Sequence, residues 1–321
     1  GLWRVLKLLE AAILAFYVSK NFHVPSFRIF VLSVLVISTT IQITLGLTQF
    51  FASNSLNLRL LGGHFFDLST LGIAKIAVNG REYLRAYGTL PHPNILAGFI
   101  ALSFPLALSM PFFIRRIGYL IFGLSLIGII LTFSRQAWLA LIIGLLPIIE
   151  WSKIRKFKVS MPYLLVLIIT FYAFGIFVLN RTQESFNLTS PPVFEREILI
   201  KKSLDLIINH PIFGVGLGQS TYAMANVFPS LDSKLFQPAH NLFVLALVEM
   251  GLLGGILFLS YIGGVAYIIW TKRNSRSYLK KPLMASFVIF LVISLFDHYF
   301  LTLDQGLLIL GVYTGLWVAA W

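Results

Sequence analysis

The chain has 321 residues, of which 58% are apolar and 12% charged, with 29 Phe, 12 Tyr and 6 Trp. A soluble globular domain carries ~45–50% apolar and ~25% charged residues, so this chain reads as an integral membrane protein, and disorder, fibrous repeats and a cytosolic enzyme are excluded. Cysteine is absent, which rules out disulfides, thiolate metal sites and Cys nucleophiles, and the net charge of +13 leaves nucleic acid, anionic lipid or a phosphorylated substrate to be separated by where the charges lie.

A bilayer crossing needs ~20 mostly apolar residues and admits only helices or closed barrels. The apolar runs here are continuous and lack the two-residue alternation of a barrel, so they predict helices. Nine spans are expected in chain order, over 3–19, 29–51, 95–113, 117–133, 136–150, 161–179, 241–270, 283–299 and 305–321. Lys7 and Glu10 interrupt the first, which reads equally as an interfacial helix. The run 241–270 is long for one crossing and should tilt or project beyond the bilayer. The fold class is therefore an all-α polytopic membrane protein, with 1–321 as a single membrane domain. The start at Gly1 rather than Met is what a processed chain, or one lacking upstream spans, would show.

Lys and Arg in short loops mark the cytoplasmic side. Lys20, Arg28, Arg115-Arg116, the cluster Lys153/Arg155/Lys156/Lys158 and the cluster Lys272/Arg273/Arg276/Lys280/Lys281 all fall on one side of this arrangement. Topology thus explains the basic clusters without nucleic acid. The connections 52–94 and 180–240 then face outward, and the second is too long for structureless chain, so it should be a partly helical extracytoplasmic loop with its own fold.

Some outward polar residues are not explained by topology. Arg85 opens the stretch Arg85-Ala-Tyr-Gly-Thr-Leu-Pro-His-Pro-Asn94, whose prolines and glycine predict a tight turn. That turn would hold Arg85, His92 and Asn94 at the membrane–water interface, although Asn94 reads equally as the N-cap of the next helix. Arg135 follows Thr132-Phe133-Ser134 at an outer junction, where a charge must snorkel, pair or bind a ligand. A helix is expected over 194–209, with Glu197, Lys201 and Asp205 on a wet face and Leu199, Ile200, Leu204 and Ile207 opposite. Arg196 falls near the middle of that apolar face, where a guanidinium needs an anionic partner or ligand.

His240 opens the seventh span, with Val244, Leu247, Gly251, Gly254 and Phe258 below it on one helical face. Glycines on that face would let a neighbouring helix approach and place His240 at the top of a crevice. An imidazole there is suited to general-base chemistry, though a structural histidine would look the same. Glu249 reads as a structural intramembrane acid in need of a hydrogen-bond partner. No Asp-x-Asp pair, His-Glu-x-x-His, Walker loop or Gly-x-Ser-x-Gly is present, and Glu195 and Glu197 point about 200° apart on a helix. No metal and no cofactor is expected.

His240-Asn241, nine residues, Gly251, two residues, Gly254 resembles the His-[Asn/Ser/Gln]-x9-Gly-x-x-Gly pattern of the O-antigen ligase / O-antigen polymerase (Wzy-C) superfamily. Arg85-x-x-Gly-Thr-x-x-His-Pro-Asn, Ser134-Arg135-x-Ala-Trp138, Glu195-Arg196 and His210-Pro211-Ile-Phe-Gly214-Val215-Gly216 are similar to its other motifs, in the same order. The resemblance covers about 80–260 and implies a GT-C-like helical bundle in the cell (cytoplasmic/inner) membrane with its site on the extracytoplasmic face. It further implies an inverting, metal-independent glycosyltransferase. The donor would be a glycan on polyprenyl (undecaprenyl) diphosphate, and the acceptor a hydroxyl on a glycan, lipid or protein, in building cell-envelope polysaccharide. On that reading His240 is the catalytic base, and Arg135, Arg196 and less directly Arg85 bind the diphosphate. His92, Asn94 and Asn241 would support the site. A transporter or flippase for anionic lipid-linked glycans would use the same arginines, but should carry polar residues deep in several spans. A non-catalytic assembly partner in an envelope complex is the remaining alternative.

Overall fold

The computed structural model describes residues 1–57, 65–78, 80–109, 115–146, 168, 172, 175, 191–272 and 275–319. The expected span 161–179, apart from three positions, and the basic cluster 153–158 lie outside these residues, as does the start of the 180–240 loop. What is described is mostly helical, with one small β-hairpin. Helix α1 covers Leu2–Asn21 and α2 covers Pro25–Ala52. Strands β1 (Lys75–Val78) and β2 (Arg81–Leu84) pair antiparallel, with Lys75 opposite Leu84. Then follow α3 (Pro93–Ser109), α4 (Arg115–Leu131) and α5 (Arg135–Leu145). After the undescribed stretch come α6 (Pro191–Asn209), α7 (Ser220–Val227), α8 (Leu242–Thr271), α9 (Lys280–Ser294), α10 (Tyr299–Thr302) and α11 (Asp304–Val318).

Of these, α2 and α8 are long and apolar enough to cross a membrane by length and composition, and α3, α4 and α5 are shorter apolar helices. The threonines of α2 do not break it, because their hydroxyls donate to carbonyls one turn back, as Thr39 does to Leu35 at 2.7 Å and Thr44 to Thr40 at 2.9 Å. Helix α1 runs through Lys7 and Glu10, which pair with each other at 2.8 Å.

The chain divides into two compact units. One holds Pro25–Phe186 and Ser277–Phe290, the other Gly1–Val24, Asn187–Arg276 and Leu291–Trp321. In the first of these, α2, α3 and α4 pack on one another and α5 packs on α3. Gly128 of α4 faces Ile43 and Ile100, and a Cβ there would crowd both, so the small residue sets the approach of the three helices. Two glutamines of α2 hold the chain that returns from the hairpin. Buried Gln49 accepts from the Tyr87 and Gly88 amides at 3.1 and 2.8 Å and donates to the Gly88 carbonyl at 2.7 Å. Gln42 makes a matching pair with Thr89.

In the other unit α1 packs along α11, burying Ala11, Ala15 and Val18. Helices α6, α7 and α8 enclose a core of Leu199, Leu206, Met224 and Val248. The length of α8 is resolved by a break, since Gly251 takes φ 64° and ψ −166°.

Candidate active site

His240 sits one residue before the N-cap of α8. Asn241 is that cap: its side-chain oxygen accepts from the amides of Phe243 and Val244, both at 3.0 Å. The same side chain donates from Nδ2 to the Leu295 carbonyl at 3.0 Å. One asparagine therefore fixes the start of α8 and ties it to the turn that follows α9. That turn closes with Phe296 and Asp297 amides on the Ile293 carbonyl, both at 2.9 Å, and delivers Asp297 and His298 to His240. The two imidazole rings lie 5.1 Å apart between centroids. One donor atom from each of His240, Asp297 and His298 falls within 4.8 Å of the others.

Asp297 is 5% exposed, and its carboxylate accepts the His298 amide at 2.9 Å. His298 Nδ1 hydrogen-bonds the Thr302 hydroxyl at 2.8 Å. His240 Nδ1, in contrast, is buried with no hydrogen-bond partner among the described residues. Burial is the main cause that pushes the His240 pKa down to about 4, with nearby Asp297 pulling it up and His298 and Arg196 pushing it down. The imidazole is thus neutral at neutral pH and free to take a proton. It is also a weak base unless something nearby stabilises the charge it acquires. Among the described residues this trio is the group that could hold an ion. Two of its members also hydrogen-bond protein groups, Asp297 the His298 amide and His298 the Thr302 hydroxyl.

Arg196 lies on α6, which begins at Pro191 rather than at 194, with both prolines in the first turn, where a missing N–H costs nothing. Leu199, Ser203 and Leu206 form the buried stripe of α6, whereas Ile200 and Leu204 are 39% and 48% exposed. The inward face is therefore rotated from the expected one, because the core around Met224 and Val248 takes Leu199 and Leu206. Arg196 precedes Leu199 by three residues, in line with that stripe, and is half-buried. No ion pair or hydrogen bond to it is found among the described residues, and its charge acts on His240.

The break in α8 has a purpose that differs from the expected helix–helix approach. The stretch 211–218 docks into it: Leu252 donates to the Pro211 carbonyl at 2.8 Å, Val215 to Val248 at 2.8 Å and Gly216 to Glu249 at 2.9 Å. A Cβ on Gly251 would collide with the Ile212 carbonyl, and one on Gly214 with the backbone of Glu249 and Gly251, so both glycines are required by a backbone-on-backbone contact. Gly254 faces the side chain of Met250 in its own helix and takes no neighbouring helix among the described residues. Glu249 finds its partners here, accepting from the Gly218 amide and the Ser220 hydroxyl, both at 2.8 Å.

The other unit holds the remaining expected site residues. Arg85 is 7% exposed and donates from Nε to the Thr132 carbonyl at 2.6 Å and from Nη2 to Asn94 Oδ1 at 3.0 Å. His92, not Asn94, caps α3: its carbonyl accepts the Ile95 amide at 3.0 Å and its Nδ1 the Asn94 amide at 3.1 Å. Asn94 is thereby left to orient Arg85. The Arg85 guanidinium braces the Thr132-Phe133-Ser134 turn, where Phe133 holds φ 51°, a costly conformation for a bulky residue. Arg135 is the first residue of α5, directly after that braced turn, and is half-buried.

Sequence reasoning brought out Arg196, His240 and Asn241, which this structure gathers in one unit. It passed over Asp297 and His298 because it placed them inside the span 283–299, whereas α9 ends at Ser294. An adjacent acid and histidine in an apolar run were the available signal.

These features define a class: a mostly helical protein with helices of membrane-crossing length, an arginine without a protein partner among the described residues, and a neutral histidine beside a carboxylate. Residues 120–259 match the family model Wzy_C, described as O-Antigen ligase, so the resemblance is shown over the stretch that carries Arg135, Arg196, His240 and Asn241. Arg85, His92, Asn94, Asp297 and His298 lie outside the matched stretch. Among curated proteins none matches the chain.

Proposed function

We propose that the protein transfers a glycan from a polyprenyl (undecaprenyl) diphosphate carrier to an acceptor hydroxyl, with inversion, on the extracytoplasmic face of the cytoplasmic membrane. The observation that carries this reading is the presence, within one unit, of Arg196 and a neutral His240, with neither Arg196 nor the His240 Nδ1 hydrogen-bonded among the described residues. In the step, the acceptor hydroxyl gives its proton to His240 as its oxygen attacks the anomeric carbon. The bond from that carbon to the diphosphate oxygen breaks, and the electron pair leaves with the diphosphate. Arg196 meets that charge by planar, bidentate contacts, the work a metal does in other glycosyl transfers. Arg85, with His92 and Asn94, holds the turn from which Arg135 projects.

The test is incubation of the purified protein with a lipid-diphosphate glycan and candidate acceptors, followed by mass spectrometry with and without EDTA. Transfer that survives EDTA is expected. The donor spacing of His240, Asp297 and His298 favours one second reading, ion-assisted transfer. Activity abolished by EDTA and restored by Mg²⁺, Mn²⁺ or Zn²⁺ would establish that reading instead.

A further inference from the structure

Asp297 and His298 belong to no motif that pointed to function and lie beyond the family-matched residues. The chain nevertheless commits several bonds to bringing them to His240: the Asn241 bond to the Leu295 carbonyl, the two amides on Ile293 and the His298–Thr302 bond. A buried carboxylate beside an imidazole whose buried Nδ1 has no partner among the described residues is costly to keep unless both are used.

We propose that Asp297 and His298 are positioning residues for the His240 base. The Asp297 carboxylate stabilises the imidazolium that forms as the acceptor hydroxyl is deprotonated, and His298, pinned by Thr302, fixes the ring beside which His240 stands. This rests on the reading of His240 as the base. The proton moves from the acceptor oxygen to His240 and is released to water after the diphosphate departs, while Asp297 and His298 end the cycle in the protonation states in which they began. The logic is that of a carboxylate that stabilises the charge its neighbour acquires: a ligand atom of Asp297 lies within 4.8 Å of one of His240, with no hydrogen bond to His240 Nδ1 among the described residues.

The charged and titratable groups that act on His240 are Asp297 and His298 from the turn after α9 and Glu195 and Arg196 from α6. Asp297 raises its basicity and His298 lowers it, so removing each should act in opposite directions.

The experiment measures kcat, donor KM and the pH dependence of kcat/KM for the full chain in detergent or nanodiscs, with melting temperature alongside. Wild type is compared with Asp297→Asn, Asp297→Glu and His298→Gln. Asp297→Asn should lower kcat by roughly 10²-fold or more at unchanged donor KM and move the acid limb of the profile to lower pH. His298→Gln should move that limb to higher pH, and Asp297→Glu should restore much of the loss. Profiles that superimpose on wild type, or a lower melting temperature with the limb unmoved, would overturn the proposal and make these packing residues. Loss of wild-type activity in EDTA would overturn it in favour of an ion site. Failure of the wild-type protein to transfer any glycan would instead strike at the functional reading itself.

Discussion

At the scale of single residues, the contrast between the arginines is informative. Arg85 is locked by a carbonyl and an amide oxygen, whereas Arg196 stands half-buried with no ion pair among the described residues. A guanidinium left so is disfavoured unless a ligand completes it. Arg196→Lys keeps the charge but gives up the planar fork, so donor binding and turnover should both fall well below wild type, by a factor of roughly 10 or more for a bidentate hydrogen-bond pair removed. Kinetics close to wild type in this variant would show that Arg196 does not hold the diphosphate. For His240 the sign of the pH effect is set by burial. A base must be neutral to act, and a histidine held down to about 4 stays neutral across neutral and mildly acidic pH. The acid limb of kcat/KM should therefore lie near 4, and a limb at the ordinary histidine value of about 6.5 would contradict the burial of this group. Stability follows the same linkage: the site costs nothing above about pH 6.5, and its penalty grows as pH falls from there through about 4, because the unfolded chain takes the proton first.

At the scale of elements, the joint between α8 and the 211–218 stretch orders one side of the site. Glu249 ties Gly218 and Ser220 to the helix just above the break at Gly251. Glu249→Ala leaves the buried Ser220 hydroxyl unpaired and the Gly218 amide to solvent, and should cost about 1–3 kcal/mol, chiefly at Ser220, read as a lower melting temperature in detergent. Glu249→Gln keeps one acceptor and should lose less, and equal melting temperatures for all three proteins would mean the joint carries no stability. The sequence pointed to α8, to its polar start and to Glu249 as an acid in need of partners, since each is visible as a departure from apolar periodicity. It did not disclose the break, because the Gly251 and Gly254 spacing reads on a regular helix as a packing face, and only the insertion of Ile212 and Gly214 distinguishes the two. The inward face of α6 was missed for a related reason: Ile200 and Leu204 are as apolar as Leu199 and Leu206, and which pair is buried depends on Met224 and Val248, far along the chain. The end of α9 at Ser294 has no proline or glycine to mark it, which hid Asp297 and His298.

At the scale of the whole molecule, composition and hydropathy pattern foretell a mostly helical chain with helices of membrane-crossing length, while the small β-hairpin within 52–94 escaped notice. The orientation drawn from the basic loops is testable on this cysteine-free background. A cysteine placed at position 230, on the loop after α7, should react with an impermeant reagent added to intact cells, and labelling only after lysis would invert the proposed topology. The central claim, that this protein moves a glycan with His240 as its base, is met most directly by one comparison. Turnover, donor affinity and melting temperature are measured on purified wild type and His240→Ala. The account predicts a turnover lower by ~10²–10⁴-fold with donor affinity and folding retained. Turnover per folded molecule within a few-fold of wild type would contradict it.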